Sequence, residues 1–367
     1  MTNKVLIKGT FLDEISHDIP HHNWGEKEWS IDFKHMKSAG IDKVILIRCG
    51  YKNWITYPSK VLTTEEKAIP PYTDLVSMFL RLSEENDMDF YFGLYDAGKY
   101  WTTGAYEKEV RLNCKVIDEV WEFYGKSKAF KGWYLSQECN KNIGGIVDLY
   151  AGLGQYCKQV SGGLPVLISP YIDGVKNLSQ YTNQSRGEKS ISLDEHFKTW
   201  ESIFKGIQKS VDIVAFQDGH VDYDQLEDFI KVNKSLADQN QITSWINSET
   251  FDRDMPIKFL PIKWDKLRYK LETAGREGIS EAITFEFSHF MSPQSAYLQA
   301  GHLSLRYMEY LNEKKMKHKA LANLYFKELT QEVIPFWEKY SIDQEYGGFF
   351  SCIDAEHKVF DTDKFVW

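Results

Sequence analysis

Cysteine is scarce in this chain. Five occur in 367 residues, Cys49, Cys114, Cys139, Cys157 and Cys352. The number is odd, the spacings are wide and no C-x-x-C pair occurs, so neither a disulfide framework nor a thiolate metal site is expected. A reducing, cytoplasmic setting is the simpler expectation. Long apolar runs are also missing, and the opening MTNKVLIKGTFLDE turns polar before a signal-like stretch builds up. No export signal or membrane span is therefore expected. Positive charge is in deficit, with 44 Lys and Arg against 53 Asp and Glu and a formal net charge of −9. That balance repels phosphate backbones and anionic lipid, which argues against nucleic acid and membrane as partners. No G-x-G-x-x-G follows the first strand-like run, and no P-loop, G-x-S-x-G or H-E-x-x-H occurs. Dinucleotide, nucleotide, serine-hydrolase and zinc-protease chemistry lose their usual signatures.

What is present is apolar and aromatic material. Hydrophobic residues make up 43% and aromatic residues 15%, with 11 Trp and 21 Tyr. Most of these rings belong in a core, but the surplus suits a cleft that stacks apolar ring faces and hydrogen-bonds their rims, as sugars require. From Val5 to about Glu313, short strand-like runs alternate with amphipathic helical stretches. The runs are VLIKGTFL, KVILIRC, MDFYFGLY, FKGWYLS, PVLIS, VDIVAF, ITSWIN and EAITFEF. Between them, Tyr106 to Tyr124 reads as a helix with Val110, Cys114, Ile117, Val120, Trp121 and Tyr124 on one face. Gly40 fits a helix C-cap, and Pro71 fits the opening of the next helix. Strand and helix in eightfold alternation predict an α/β fold, a (β/α)8 TIM barrel over residues 1–312. Long loops at 13–25, 50–70 and 171–192 would then gather over the mouth. At NEKKMKHK a charged run marks a junction.

In such a barrel, strand ends deliver side chains to one mouth. Glu138 closes the fourth run and Glu249 the seventh, so both carboxyls are expected to rise into one cleft. Paired carboxylates are the minimum for cleaving a glycosidic bond, one to protonate the leaving oxygen and one to attack. Trp133, Tyr134 and Gln137 lead into the first, and Trp245, Asn247 and Phe251 surround the second, offering apolar walls and orienting amides. Arg48, Tyr95, Tyr171, Gln217, Glu286 and His289, at or just past strand ends, are the expected hydrogen-bonders to sugar hydroxyls. Asp13, Asp96 and Asp218 also fall near strand ends. Asp218, in QDGH, would suit a substrate-assisted route with Glu138 on an N-acetylated sugar. A barrel that binds carbohydrate without turnover is the alternative of another class. His17, Asp18, His21 and His22 crowd the first loop, but their spacing matches no ligand set, so a solvated loop is expected and no metal or cofactor is called for.

On these residues the chain resembles the large clan of retaining TIM-barrel glycosidases. The runs GTFLDE, GWYLSQE, DIVAFQDG, WINSETF and TFEFSHFMSP are similar to a glycosidase-like barrel family, a domain of unknown function within that superfamily. The resemblance implies Glu138 as acid/base and Glu249 as nucleophile. It departs at Gln137, where an Asn usually precedes the acid/base, and at Phe285-Glu286-Phe287, where a Trp often closes strand eight. The end of the chain, 318–367, reads as an amphipathic helix bearing Leu321, Leu324, Tyr325, Val333 and Phe336, then a hairpin. Through VIPFWEKYSID, GGFF and D-x-x-K-F-V-W it resembles the opening of the N-acylglucosamine 2-epimerase family, an (α/α)6 barrel. The resemblance implies that residues 313–367 are a linker and the first part of such a domain in a longer fusion, without its catalytic histidines. It also points the barrel toward carbohydrate.

Overall fold

The computed structural model describes residues 4–16, 19, 21–177, 190–253, 259–312, 318–354 and 356–362. Eight parallel strands close a barrel: β1 (Ile7–Leu12), β2 (Lys43–Leu46), β3 (Asp89–Gly93), β4 (Phe130–Leu135), β5 (Val166–Ile168), β6 (Ile213–Gln217), β7 (Thr243–Asn247) and β8 (Ala282–Thr284). Each pairs with the next in the chain, and β8 returns to β1 through Gly9↔Ile283 and Thr10↔Thr284. A helix follows each strand: α1 (Glu26–Ser38), α2 (Leu75–Glu85), α3 (Tyr106–Tyr124), α4 (Ile146–Ser161), α5 (Leu193–Ile207), α6 (Leu226–Gln239), α7 (Trp264–Arg276) and α8 (Leu298–Asn312). This is the expected (β/α)8 architecture.

The strands form because β-branched and aromatic residues fill both faces of a sheet buried inside by side chains and outside by helices. Phe11, Ile45, Ile47, Tyr91, Tyr134, Leu167, Ile213, Ala215, Trp245 and Ile283 make the inner cluster. Gly132 leaves room there, since a Cβ would stand 2.3 Å from the Tyr91 ring. Local signals set the helix starts. At α5, Ser192 Oγ accepts from Glu195 N at 3.3 Å while Glu195 Oε2 accepts from Ser192 N at 3.1 Å, a reciprocal cap for two orphan donors. The helix after β2 begins later than Pro71 suggests, because Asp74 takes the cap and accepts from Ser77 N at 2.9 Å.

Two expectations need correction. Strand β8 stops at Thr284 rather than running through Phe287, because Phe287–Phe290 turns into a short helix capped by Glu286. The buried face of α3 is rotated from the predicted one. Leu112, Val116, Ile117 and Val120 are buried together with Glu109 and Asn113, whereas Val110, Cys114 and Trp121 are only half-buried. The polar pair is buried because it binds loop backbone. Asn113 Oδ1 accepts from Tyr95 N at 3.0 Å and Glu109 Oε1 accepts from Ala97 N at 3.1 Å.

The chain divides into two compact units, Met1–Tyr307 and Met308–Trp367. The division falls inside α8, ahead of the charged run that the sequence offers as the junction. In the second unit, His318–Glu328 runs through a π turn, Leu329–Val333, into Ile334–Tyr340, and a two-stranded hairpin pairs Cys352–Ile353 with Val359–Asp361. The closing K-F-V-W lies outside the described residues. Among the described residues no helix is long and apolar enough to cross a membrane.

Candidate active site

At the C-terminal ends of the strands lies a cavity of about 200 Å³, lined by Ser16, Ile19, Ile47, Arg48, Glu138, Gln217, Asn247, Glu249, Phe251, Arg253, Phe259 and Phe285. The fold therefore brings Glu138 and Glu249 to one cavity, with Arg48, Gln217 and Asn247 beside them. Each carboxyl stands just past its strand, Glu138 beyond Leu135 and Glu249 beyond Asn247.

Their surroundings differ. Glu138 Oε1 accepts from the Tyr134 hydroxyl at 2.8 Å. Burial raises its pKa, and the smaller opposing pulls of Arg48, the Tyr134 hydroxyl and the Gln217 amide leave it above the ordinary carboxylate value. Glu249, 2% exposed, forms a two-pronged pair with Arg253, Nε to Oε2 at 2.8 Å and Nη2 to Oε1 at 2.7 Å. Burial works against its charge, but the Arg253 guanidinium, with smaller pulls from His220 and Lys270, offsets it and the pKa falls below the ordinary value. Arg253 in turn lies over the rings of Phe251 and Phe259, at 4.9 and 5.9 Å. Environment thus pushes the two carboxyls apart, Glu138 toward its protonated form and Glu249 toward its charged form.

Asp218 underpins this pair from behind. Its Oδ1 accepts from Lys270 Nζ at 2.7 Å and from Glu249 N at 3.1 Å, and its Oδ2 accepts from Ser248 Oγ at 2.8 Å. Lys270 Nζ also donates to Glu249 O at 3.2 Å. Gly219 permits the approach, because a Cβ there would stand 1.6 Å from Glu249 Oε2.

Several expected mouth residues do not line the cavity. Trp133 points away from the barrel axis, packs on Phe92 and Phe130 and donates from Nε1 to Ser161 Oγ at 3.1 Å. It is one residue out of phase with Tyr134, and neighbouring strand residues face opposite sides. Gln137 Nε2 is engaged by Tyr95 O at 2.9 Å and Glu109 Oε1 at 3.0 Å, so it anchors the Glu138 loop to α3. Tyr95 is fully buried and its hydroxyl donates to Lys52 O. Trp245 lies in the inner cluster with Lys43 Nζ 5.6 Å from its ring centre. Tyr171 is half-buried and packs edge-on against His220 at 5.4 Å. Asp218 has its oxygens committed as described, and Glu286 and His289 belong to a neighbouring cluster. Within the cavity, Asn247 Nδ2 donates to Ser169 Oγ at 2.9 Å and Gln217 Nε2 to Ser169 O at 2.8 Å. Arg253, Lys270 and Gly219 escape a search for strand-end residues. The sequence offers Tyr134 only as one of the residues leading into Glu138, and the structure turns its hydroxyl onto that carboxyl.

The neighbouring cluster joins the first and last loops. His22, Glu286 and His289 hold potential ligand atoms all within 4.8 Å of one another. The His22 ring stacks on Trp24 at 3.9 Å and on His289 at 3.5 Å. Glu286 accepts from His289 N at 2.7 Å and Ser288 N at 2.9 Å, and pairs with His289 Nδ1. Burial, then His289 and His21, lower the His22 pKa to about 2, while burial raises Glu14, which accepts from His22 N, to about 7. His22 is therefore not the solvated loop residue expected. His21 is exposed, and His17 and Asp18 lie outside the described residues.

Comparison with known proteins gives the chain relatives at two scales. A crystal structure of a candidate α-L-fucosidase from Bacteroides thetaiotaomicron VPI-5482 is similar at 57% identity and a TM-score of 0.80, over 84% of this chain and 94% of that one. A β-galactosidase from the psychrophilic Marinomonas ef1 shares the fold at 10% identity and a TM-score of 0.52, over 84% of this chain and 60% of that one. A stretch of 54 residues, 14% of this chain, is 43% identical to the N-acylglucosamine 2-epimerase of Mus musculus, and the chain spans 13% of that protein's length. The family model for the domain of unknown function DUF4434 matches residues 7–297, taking in all eight barrel strands, and the chain belongs to that family.

Proposed function

We propose that the barrel is a retaining glycoside hydrolase in which Glu138 is the acid/base and Glu249 the nucleophile. The observation that carries the reading is two buried carboxyls lining one cavity, Glu138 with its pKa raised and Glu249 with its pKa lowered. Glu138, above its ordinary pKa, donates its proton to the glycosidic oxygen as the bond to the anomeric carbon breaks. Glu249, held ionised by Arg253, attacks that carbon and forms a glycosyl ester. Water then attacks the anomeric carbon as Glu138 takes its proton, the bond from that carbon to Glu249 breaks, and Glu249 is released as carboxylate. Ile19, Ile47, Phe251, Phe259 and Phe285 offer an apolar wall to the C–H face of a sugar, while Asn247, Gln217 and Arg48 face its hydroxyls. A cavity of about 200 Å³ is small beside the ~300–1,000 Å³ typical of drug-sized sites, which favours removal of one terminal sugar over cleavage within a polymer. The substrate-assisted alternative loses ground because Asp218 is tied to Lys270, Ser248 and the Glu249 backbone.

The test is hydrolysis of a panel of aryl glycosides. An α-L-fucoside comes first because of the 57% identical relative, followed by other hexosides and N-acetylhexosaminides. Retention at the anomeric carbon, read by proton NMR, is expected. Glu249→Gln should lower kcat by at least ~10⁴-fold, the scale seen when a nucleophile is removed. Glu138→Gln should cost ~10²–10⁴-fold with poor leaving groups and little with activated ones. The kcat/KM profile should rise as Glu249 ionises below the ordinary carboxylate range and fall as Glu138 loses its proton above it, and Glu138→Gln should remove only the alkaline limb. Full activity in both variants, or sugar binding with no product, would overturn the reading.

A further inference from the structure

We propose that His22, Glu286 and His289 form a binding site for one divalent cation of the zinc class, which ties the loop after β1 to the loop after β8. Two imidazoles and a carboxylate are a donor set that suits zinc and its neighbours in the transition series. Their ligand atoms already stand within 4.8 Å of one another. Glu286 and His289 are buried, at 0% and 3% exposure, so the group is not a chance gathering on a wet surface. The second observation is His22 Nε2, a buried ring nitrogen with no hydrogen-bond partner among the described residues. Leaving such an atom unmatched is costly, and buried polar atoms in folded proteins are nearly always satisfied. A cation would satisfy it. The ring is also positioned in advance, stacked between Trp24 and His289. Glu14 stands beside the set, its carboxylate accepting from His22 N at 3.4 Å.

The placement gives the cation a task that does not depend on its taking part in the chemistry. Strands β1 and β8 are the pair that closes the barrel. The loop after β1 carries Ser16 and Ile19, and Phe285 immediately precedes Glu286. All three line the cavity that holds Glu138 and Glu249. A cation held by His22 on one side and by Glu286 and His289 on the other would fix two walls of that cavity across the seam of the barrel.

The experiment uses the full chain, freed of metal by chelator and dialysed, and titrated with Zn2+ and with Co2+ as a spectroscopic probe. One equivalent should bind, Co2+ should show visible ligand-field absorption, and the melting temperature should rise with added Zn2+. Even an outer partner of a metal ligand is worth about 10–100-fold in affinity, so His22→Ala should weaken binding by at least ~100-fold. Glu286→Gln and His289→Ala should do the same, whereas His302→Ala, an exposed residue on α8, should bind as the parent does. Because His289 is buried, its variant can fail to fold. His22, on a loop and half-buried, keeps the test decisive once circular dichroism shows its variant folded. No stoichiometric binding of either ion, or unchanged affinity in His22→Ala, would overturn the proposal whatever the barrel's activity proves to be.

Discussion

The two units differ in how far they bury their large apolar side chains. In Met1–Tyr307, Trp29, Trp133 and Trp200 are all at or below 1% exposure. In Met308–Trp367, Phe326 is 67% exposed, Phe349 59%, Phe360 69% and Tyr346 80%. Leu324, Tyr325 and Val333, which the sequence offers as an apolar helix face, stand at 46%, 55% and 45%. Among the described residues a small cluster forms there, with Phe336 against Tyr340 at 5.3 Å and His357 at 5.2 Å. The comparison teaches that an apolar stripe predicts a helix without guaranteeing a cover for it. A barrel closes on itself and buries both faces of its sheet, whereas a helix and a hairpin hold too little chain to close a core.

That contrast can be broken by perturbing each unit. The largest effect should come from Lys270→Met, which strands Asp218 as a buried charge beneath Glu249. Losing one partner of a buried pair costs about 3–5 kcal/mol, so urea denaturation should show a drop of that order. An unchanged midpoint would mean that Asp218 takes up a proton without penalty. Gly219→Ala comes next. Its Cβ would collide with Glu249 Oε2 and push the carboxyl aside, and a displacement of ~1 Å is worth roughly 10²-fold in rate. Circular dichroism should show the fold intact while kcat/KM falls, and a fully active variant would show that the carboxyl has room to yield. The smallest effect is expected from deleting 318–367. If the barrel is complete without the tail, its melting temperature should move by less than ~2 °C, and a larger loss would make the tail an integral layer.

The barrel was legible because its signal is local and repeated. Each of the eight apolar runs falls on one observed strand, the sixth stopping one residue short of its end at Gln217, and the intervening helices follow from periodicity. The ends were less so. Strand β8 is cut short by a turn that Glu286 caps, and the buried face of α3 is rotated by Glu109 and Asn113, whose partners are loop backbone atoms that no helical pattern reveals. At the candidate site the sequence set Trp133 beside Tyr134 in the mouth, whereas alternation along β4 turns Tyr134 in and Trp133 out.

What the sequence determined by itself was the order of strands and helices, the closing of eight of them into a barrel, and the positions of Glu138 and Glu249 at the ends of two strands. These follow from patterns that each segment carries within itself. What only the tertiary structure decided was the company those residues keep. Arg253 folds back over two phenylalanine rings onto Glu249, Lys270 crosses from α7 to Asp218, and His22 stacks on His289 across the seam between β1 and β8. Such partners are chosen by loops that meet in space, and no periodicity along the chain encodes which distant donor reaches which carboxylate.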